Sequence, residues 1–318
     1  ARRGRGEAVV GEIKEVKAFV PGFSSGDRTR TFLKVQDGCD YFCAFCTIPL
    51  ARGRSRSADV ATTVKQAEAA VAAGAKEIVL TGVNIGDFGK GSEERLIDLV
   101  RALDQVEGVD RYRISSIEPN LLTDELIDFV GHSAKFQPHF HIPLQSGSDD
   151  ILSAMRRRYR TPLYRERIEH IRRLMPEAGI GVDVIVGFPG ETEAHFATTR
   201  DFLLDLDVSY LHVFTYSERP RTTALRIPDV VPVPERQARN KVLRQISLKK
   251  QRAHWERFLG STREVLFEHA EEDGMRFGFT PEYVRVAAPA DSTPANAIAR
   301  VRLEHIAEGT VRGPLIPS

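Results

Sequence analysis

Asp37-Gly38-Cys39-Asp40-Tyr41-Phe42-Cys43-Ala44-Phe45-Cys46-Thr47-Ile48-Pro49 carries all three cysteines of the chain within eight residues. No other cysteine exists to pair with them, and no apolar leader follows the start Ala1-Arg2-Arg3-Gly4-Arg5. A disulfide scaffold is therefore disfavoured, and a reducing, cytoplasmic setting fits. The spacing C-x3-C-x2-C offers three thiolates to one centre. Structural zinc asks for a fourth protein ligand, whereas catalytic zinc accepts three plus water. A redox pair at Cys43 and Cys46 leaves Cys39 unexplained and lacks a helix-opening context. An iron–sulfur cubane on three cysteines leaves one iron open for a substrate or cofactor. Spacing alone leaves these readings open.

Outward from the loop, strands and helices alternate. Strand patterns are expected at Thr31–Gln36, Lys76–Thr81, Tyr112–Ile117, Phe140–Pro143, Ile180–Val186 and Val208–Phe214. Asp59 and Thr123 are placed to cap helices running to about Ala73 and Val130. Further helical patterns cover 94–104, 149–155, 162–175, 192–204 and 234–258. Strand–helix alternation implies a parallel sheet. Six units are too few for an eight-fold barrel, so the fold class is α/β, a partial (β/α)6 TIM-like barrel. Ligands in such sheets sit beyond the carboxyl ends of the strands, and the cysteine loop is the first of those ends. Residues 1–30 read as a lead-in, extended over Glu7–Val20 and turn-rich over Pro21–Asp27; 31–258 form the core. Residues 259–318 read as a small antiparallel all-β domain with runs at Glu264–Glu268, Met275–Phe279, Tyr283–Val286 and Ala299–Leu303. Asp273-Gly274 is a hairpin signal between the first two.

The chain has 318 residues, 42% of them hydrophobic, enough for a sizeable core. No apolar run reaches the length of a membrane span. The net charge of +1 hides a basic belt: residues 219–263 hold twelve Lys/Arg against three Asp/Glu. A belt of that kind serves either a polyanion or a solvated helix face.

The longer motifs narrow the cysteine reading. The Lys34–Ser57 segment, Leu80–Gly89, His141-Ile-Pro-Leu-Gln-Ser-Gly-Ser148 and Asp183-Val-Ile-Val-Gly-Phe-Pro-Gly-Glu-Thr192 together resemble the radical S-adenosylmethionine (SAM) superfamily, and within it the methylthiotransferases. The lead-in Thr29–Cys39 and Gly82–Gly89 are most similar to the tRNA branch acting on threonylcarbamoyladenosine. The resemblance implies a [4Fe-4S] cluster on Cys39, Cys43 and Cys46, with S-adenosyl-L-methionine chelated at the open iron and cleaved to a 5′-deoxyadenosyl radical. It implies that the C-terminal β domain is a TRAM-like RNA-binding module. It also implies a second [4Fe-4S] cluster in an N-terminal domain this chain lacks, so the chain reads as a truncated piece. Implied partners are a tRNA anticodon stem-loop and an electron donor such as flavodoxin or ferredoxin. A monomer without membrane attachment is expected.

The same resemblance assigns roles. Phe45 would pack beside cluster and adenine, and Gly82 and Asn84 would meet the methionyl amino group. Glu118, Gln145 and Ser146 would face ribose and carboxylate, while Val186 and Gly187 would pass the adenine along their backbone. Arg157, with Tyr159, would pair with a carboxylate or phosphate. Arg52, Arg54 and Arg56 after the loop, and Lys249, Lys250 and Arg252 in the belt, are candidate RNA contacts. Each also has a structural reading as core aromatic, turn, loop cap or solvated charge. His139 and His141 share one strand face, as a metal pair or as a hydrogen-bonded pair inside the barrel. Trp255, Phe277, Phe279 and Tyr283 suit base stacking or the core of the β domain. Alternative functions are methylthiotransfer to isopentenyladenosine tRNA or a ribosomal-protein aspartate, and a non-catalytic RNA-binding module with zinc in the cysteine loop.

Overall fold

The computed structural model describes residues 13–24 and 29–317. Six parallel strands form its first part: β1 (Arg30–Lys34), β2 (Glu77–Thr81), β3 (Arg111–Ile114), β4 (His139–His141), β5 (Gly179–Val186) and β6 (Tyr210–Thr215). β1–β2–β3 and β4–β5–β6 are ladders of successive parallel pairs. Bridges Tyr112–Phe136 and Ser116–His141 join the two ladders in the order 1 to 6. Among the described residues β1 and β6 do not pair, so the barrel is partial.

The helices lie where the sequence places them. α1 is Ile48–Arg52, immediately after the cysteines. α2 (Val60–Ala72) starts at Asp59, whose carboxylate accepts from the Thr62 N–H. α3 is Leu96–Asp104, and α4 (Asp124–His132) is capped by the Thr123 hydroxyl. α5 (Asp149–Ala154), α6 (Thr161–Leu174), α7 (Glu193–Asp205) and α8 (Val233–Glu256) complete the series. Alternate strand residues such as Leu33, Ile78, Leu80, Ile180, Val182 and Val184 are fully buried in the main core, which they share with helix residues such as Leu99, Leu103 and Ile168. Fully burying such a side chain contributes about 1.5–3 kcal/mol, which makes this layer the main stabilising element. Among the described residues no helix is long and apolar enough to cross a membrane.

The lead-in differs from the expected linker. Gly22–Phe23 pair antiparallel with β1, and Ile13–Glu15 form a 3-10 turn. Strand β1 is an edge that would otherwise leave its backbone groups open, and this short pairing covers part of it. The expected extended stretch before Ile13 and the turn residues 25–27 lie outside the described residues.

The C-terminal sheet has seven strands: β7 (Thr262–Glu272), β8 (Met275–Phe279), β9 (Arg285–Pro289), β10 (Ala297–Arg302), β11 (His305–Ala307), β12 (Thr310–Arg312) and β13 (Leu315–Ile316). Their order is β11-β12-β9-β8-β7-β10-β13, antiparallel except for β9 with β12. The β7–β8 hairpin turns at Asp273-Gly274, whose φ values of 51° and 72° are the left-handed pair that a tight hairpin needs. The third strand begins at Arg285 rather than Tyr283, because Tyr283 sits at φ 67° in a turn packed against the barrel. Trp255 lies in this domain's core, beside Phe258, Phe267 and Val286.

The β domain covers the amino-terminal end of the barrel strands. Arg111 donates to the Phe279 carbonyl, and Arg113 to those of Thr280 and Pro281. Arg30 reaches Glu268 at 3.0 Å and the Tyr283 hydroxyl at 3.2 Å. Tyr283 stacks on His139 with centroids 4.1 Å apart, and on Phe279 at 4.6 Å. Within the barrel end, Arg113 Nε meets Glu77 Oε1 at 3.0 Å, both side chains buried. The inward strand positions are thus polar, and their charges are satisfied by each other and by carbonyls of the β domain.

Candidate active site at the carboxyl end of the barrel

The cysteine loop sits at the opposite end, beyond β1. It is pinned from three sides: Cys39 N–H donates to Gly53 O, Ala44 N–H to Met155 O, and Ala224 N–H to Ala44 O. Ala44 is buried with Met155, Phe188, Tyr216 and Ala224, and Phe45 packs against the same cluster. Gly38 has φ 72°, and a Cβ there would lie 1.9 Å from the Arg54 carbonyl oxygen. Only glycine fits that approach.

Sequence reading missed the residue that ties this loop to the next one. Gln36, fully buried, donates through Nε2 to the carbonyls of Asp37 and Gly38 and to Ser55 Oγ. Its Oε1 accepts from Val83 and Asn84 N–H at 3.0 and 2.8 Å. One side chain thereby fixes the cysteine loop against the Gly82–Asn84 turn at the end of β2. Asn84 is buried, gives its Nδ2 to Asp87, and leaves Oδ1 without a partner among the described residues.

The three sulfurs have distinct surroundings. Cys39 Sγ accepts from Tyr41 N–H and Cys46 Sγ from Ile48 N–H, each at 3.4 Å. Cys43 Sγ accepts from Arg157 Nη1 at 3.0 Å. Burial, with the other two sulfurs and Asp87 adding to it, pushes the Cys39 thiol up to about 11. Burial also raises Cys43, while Arg157 acts against it. Three sulfurs gathered in one short loop, once ionised, ask for a cation. Three sulfurs with N–H donors aimed at each are the donor set an iron–sulfur cluster uses. The unpartnered Asn84 acceptor suits an ammonium group such as that of S-adenosylmethionine.

Arg157 is buried and spends its guanidinium on Cys43, on Glu118 and on Tyr159 Oη at 3.1 Å. Tyr159 Oη in turn donates to the carbonyls of Pro143 and Leu144. Glu118, at the end of β3, and Arg157, after α5, therefore meet at the sulfur itself. Gln145, at φ 65°, lines a cavity of about 260 Å³ with Phe45, Cys46, Asp183, Ile185, Phe214 and Arg219.

Other singled-out residues point elsewhere. Ser146 is fully buried against Thr199 of α7 and caps the Ser148 N–H. The Val186 carbonyl accepts from Tyr216 N–H, and Gly187 N–H donates to Glu191. Glu191 is held by Arg239 at 2.7 Å in a buried pair. Arg52 and Arg54 remain exposed, whereas Arg56 is spent on Asp37 and on the carbonyls of Ala18, Arg52 and Arg54. On α8, Lys249 is exposed and Arg252 pairs with Glu256. Lys250 instead caps the end of α7 through the Leu204 and Leu206 carbonyls. Cations near a helix carboxyl end are favoured by the helix dipole. His139 bonds Tyr210 Oη and His141 bonds Asp183, both at 2.8 Å inside the barrel.

The "Radical SAM superfamily" description matches residues 33–203, which contain the cysteine loop, the Gly82 turn, Arg157 and the Gly187 loop. The chain belongs to the radical SAM superfamily. Within it, the chain is a methylthiotransferase homologue. It is 41% identical over 292 residues to the threonylcarbamoyladenosine tRNA methylthiotransferase MtaB of Bacillus subtilis, covering 89% of this chain and 64% of that protein. It is 36% identical over 299 residues to the tRNA-2-methylthio-N(6)-dimethylallyladenosine synthase of Sphingopyxis alaskensis, covering 91% of this chain and 67% of that protein. The chain thus spans about two-thirds of the length of these curated relatives. Among solved structures, the radical SAM methyltransferase TsrM of Kitasatospora setae aligns over 61% of this chain and 38% of its own, with a TM-score of 0.53 and 18% identity. That likeness concerns the fold.

Proposed function

We propose that this chain is the radical SAM and TRAM-like part of a tRNA-modifying enzyme that converts threonylcarbamoyladenosine beside the anticodon to its 2-methylthio derivative. The observation that carries this reading is the loop of three cysteines, fixed by Gln36 at its base and with Arg157 on the Cys43 sulfur, in a chain 41% identical to a relative of that name. A [4Fe-4S] cluster on Cys39, Cys43 and Cys46, with S-adenosylmethionine chelated to it, would supply the radical that removes hydrogen from C2 of the adenine.

The chain's own residues would prepare that site. Asn84 Oδ1 offers an acceptor to the methionyl ammonium, and Gln145 and Glu118 face the cofactor's polar groups. Phe45 and Ile185, which line the cavity, would offer apolar surface to the cofactor's adenine. Buried Arg157 holds the Cys43 sulfur and pairs with Glu118 beside it. The chain has no cysteines beyond this loop, so the sulfur-handling cluster would come from outside this sequence. Arg52, Arg54, Lys249 and Arg252 would contact phosphates of the anticodon stem-loop. A flavodoxin- or ferredoxin-like donor would reduce the cluster, in the cytoplasm. The working division is a core over 31–258 and an RNA-binding domain over 259–318.

The test is anaerobic reconstitution followed by reductive cleavage of S-adenosylmethionine. Wild type should cleave it and Cys43→Ala should not; equal cleavage by both sinks the reading. Zinc without iron in anaerobically purified protein would favour the non-catalytic module instead. The Sphingopyxis relative supports isopentenyladenosine tRNA as a second substrate reading. Incorporation of the 5′-deoxyadenosyl-abstracted hydrogen from tRNA with and without the threonylcarbamoyl group separates the two.

A further inference from the structure

Beneath the cysteine loop, three side chains from neighbouring strands converge inside the barrel. His141 ends β4, Asp183 lies in β5 and His212 in β6. The registers set His141 opposite Gly181 and Asp183 opposite His212. One ligand atom from each lies within 4.8 Å of the others. His141 Nε2 and Asp183 Oδ1 are 2.8 Å apart, and the two imidazole rings have centroids 5.3 Å apart. Asp183 also lines the cavity beside Cys46.

The partners of these groups distinguish them from the layer below. There His139 is buried, bonded to Tyr210 and stacked on Tyr283, as a packed core histidine should be. His212 is exposed and makes no hydrogen bond or ion pair among the described residues. Asp183 pairs with His141 alone, with no Lys or Arg against it among the described residues. Two imidazoles and one carboxylate with an open side toward solvent form a 2-His-1-carboxylate set.

We propose that His141, Asp183 and His212 bind a divalent transition-metal ion such as Zn²⁺, Mn²⁺ or Fe²⁺, at a site separate from the three cysteines. The set carries one negative charge and two neutral nitrogen donors, which suits a borderline divalent ion better than Ca²⁺ or a soft monovalent one. Three protein ligands leave room on the ion for water or a substrate oxygen, and Asp183 links the set to the cavity beside Cys46. Nothing in the site depends on which nucleoside the enzyme modifies.

The experiment uses the full chain with its cysteine site loaded with iron and sulfide, stripped of loose metal by chelator and gel filtration. In the oxidised state a [4Fe-4S] cluster is diamagnetic, so added Mn²⁺ is counted by the electron paramagnetic resonance of the free ion. The expected result is one Mn²⁺ bound per chain, displaced by Zn²⁺, with affinity at least tenfold weaker in His212→Gln and in Asp183→Asn. His305→Gln, at an exposed histidine far along the β domain, should bind as wild type does. His212 makes no hydrogen bond, so its variant probes the site without removing a structural contact; the cluster absorbance of each variant checks folding. Absence of stoichiometric binding, or binding unchanged in His212→Gln, overturns the proposal.

Discussion

Replacing Arg157 by glutamine should lower the reduction potential of a cluster held by the three cysteines. Arg157 Nη1 donates to Cys43 Sγ at 3.0 Å from a buried position, so its charge is little screened. A donor aimed at a ligand sulfur stabilises the more negative, reduced state. A charge-assisted hydrogen bond contributes about 1.5–3 kcal/mol. With about 59 mV per tenfold change for one electron, that corresponds to a fall of roughly 60–130 mV. Glu118, left without its cation, pushes in the same direction, so Arg157→Gln with Glu118→Gln should recover part of the loss. The assay is a potentiometric titration of the reconstituted protein, followed by the electron paramagnetic resonance of the reduced cluster. A shift below about 20 mV, or an upward shift, would refute the placement of Arg157 as the partner of that sulfur.

Gln36→Leu should orphan the N–H groups of Val83 and Asn84, costing about 1–3 kcal/mol each and weakening S-adenosylmethionine binding; calorimetric affinity and thermal melting report both. Gly38→Ala should drop iron content well below that of wild type, because its Cβ would meet the Arg54 carbonyl, while circular dichroism of the rest stays close to native. Lys249→Ala should lower the slope of RNA affinity against salt by about one unit, whereas Lys250→Met should lower the melting temperature through the lost cap on α7. His254, buried against the Glu282 carbonyl, is pushed down to about 4 by burial. The unfolded chain binds that proton below about 6.5 and the folded chain does not, so stability falls as pH drops from about 6.5 to 4, by about 1.4 kcal/mol per unit. His254→Leu should flatten that part of the denaturation curve, and an unchanged curve would remove His254 as its cause.

The barrel was legible because buried parallel strands are written as short apolar runs, such as Glu77-Ile-Val-Leu-Thr81, and because Asp59 and Thr123 mark helix starts. The cysteine ligand set was legible from spacing and motif. What the sequence hid is mostly polar. In Arg111-Tyr-Arg-Ile the arginines alternate as if facing solvent, yet they point into the barrel and are satisfied by carbonyls 168 residues away. Nothing local encodes such a partner. Arg157 reads from its motif as the partner of a carboxylate or phosphate, or as a surface cation, and only the fold brings it to Cys43 as well. Lys250 sits in the basic belt beside Lys249, but the rotation of about 100° per helical residue leaves one amine exposed and turns the other onto the end of α7. Strands β11, β12 and β13 are two or three residues long, too short to carry an alternating pattern.

The β domain seated on the amino ends of the strands, with Tyr283 stacked on His139 and Arg113 reaching its carbonyls, makes the barrel a cup rather than a tube. Among the described residues that base is filled by paired side chains and carbonyls, so the rim where the cysteines lie is the more open of the two ends. If the β domain binds RNA as proposed while the target nucleoside is presented at the rim, that RNA would run along the outer wall between them. The exposed Lys249 of α8 lies on that wall, so under the proposed function the length of the stem-loop, and not only its sequence, would become a dimension the fold can measure.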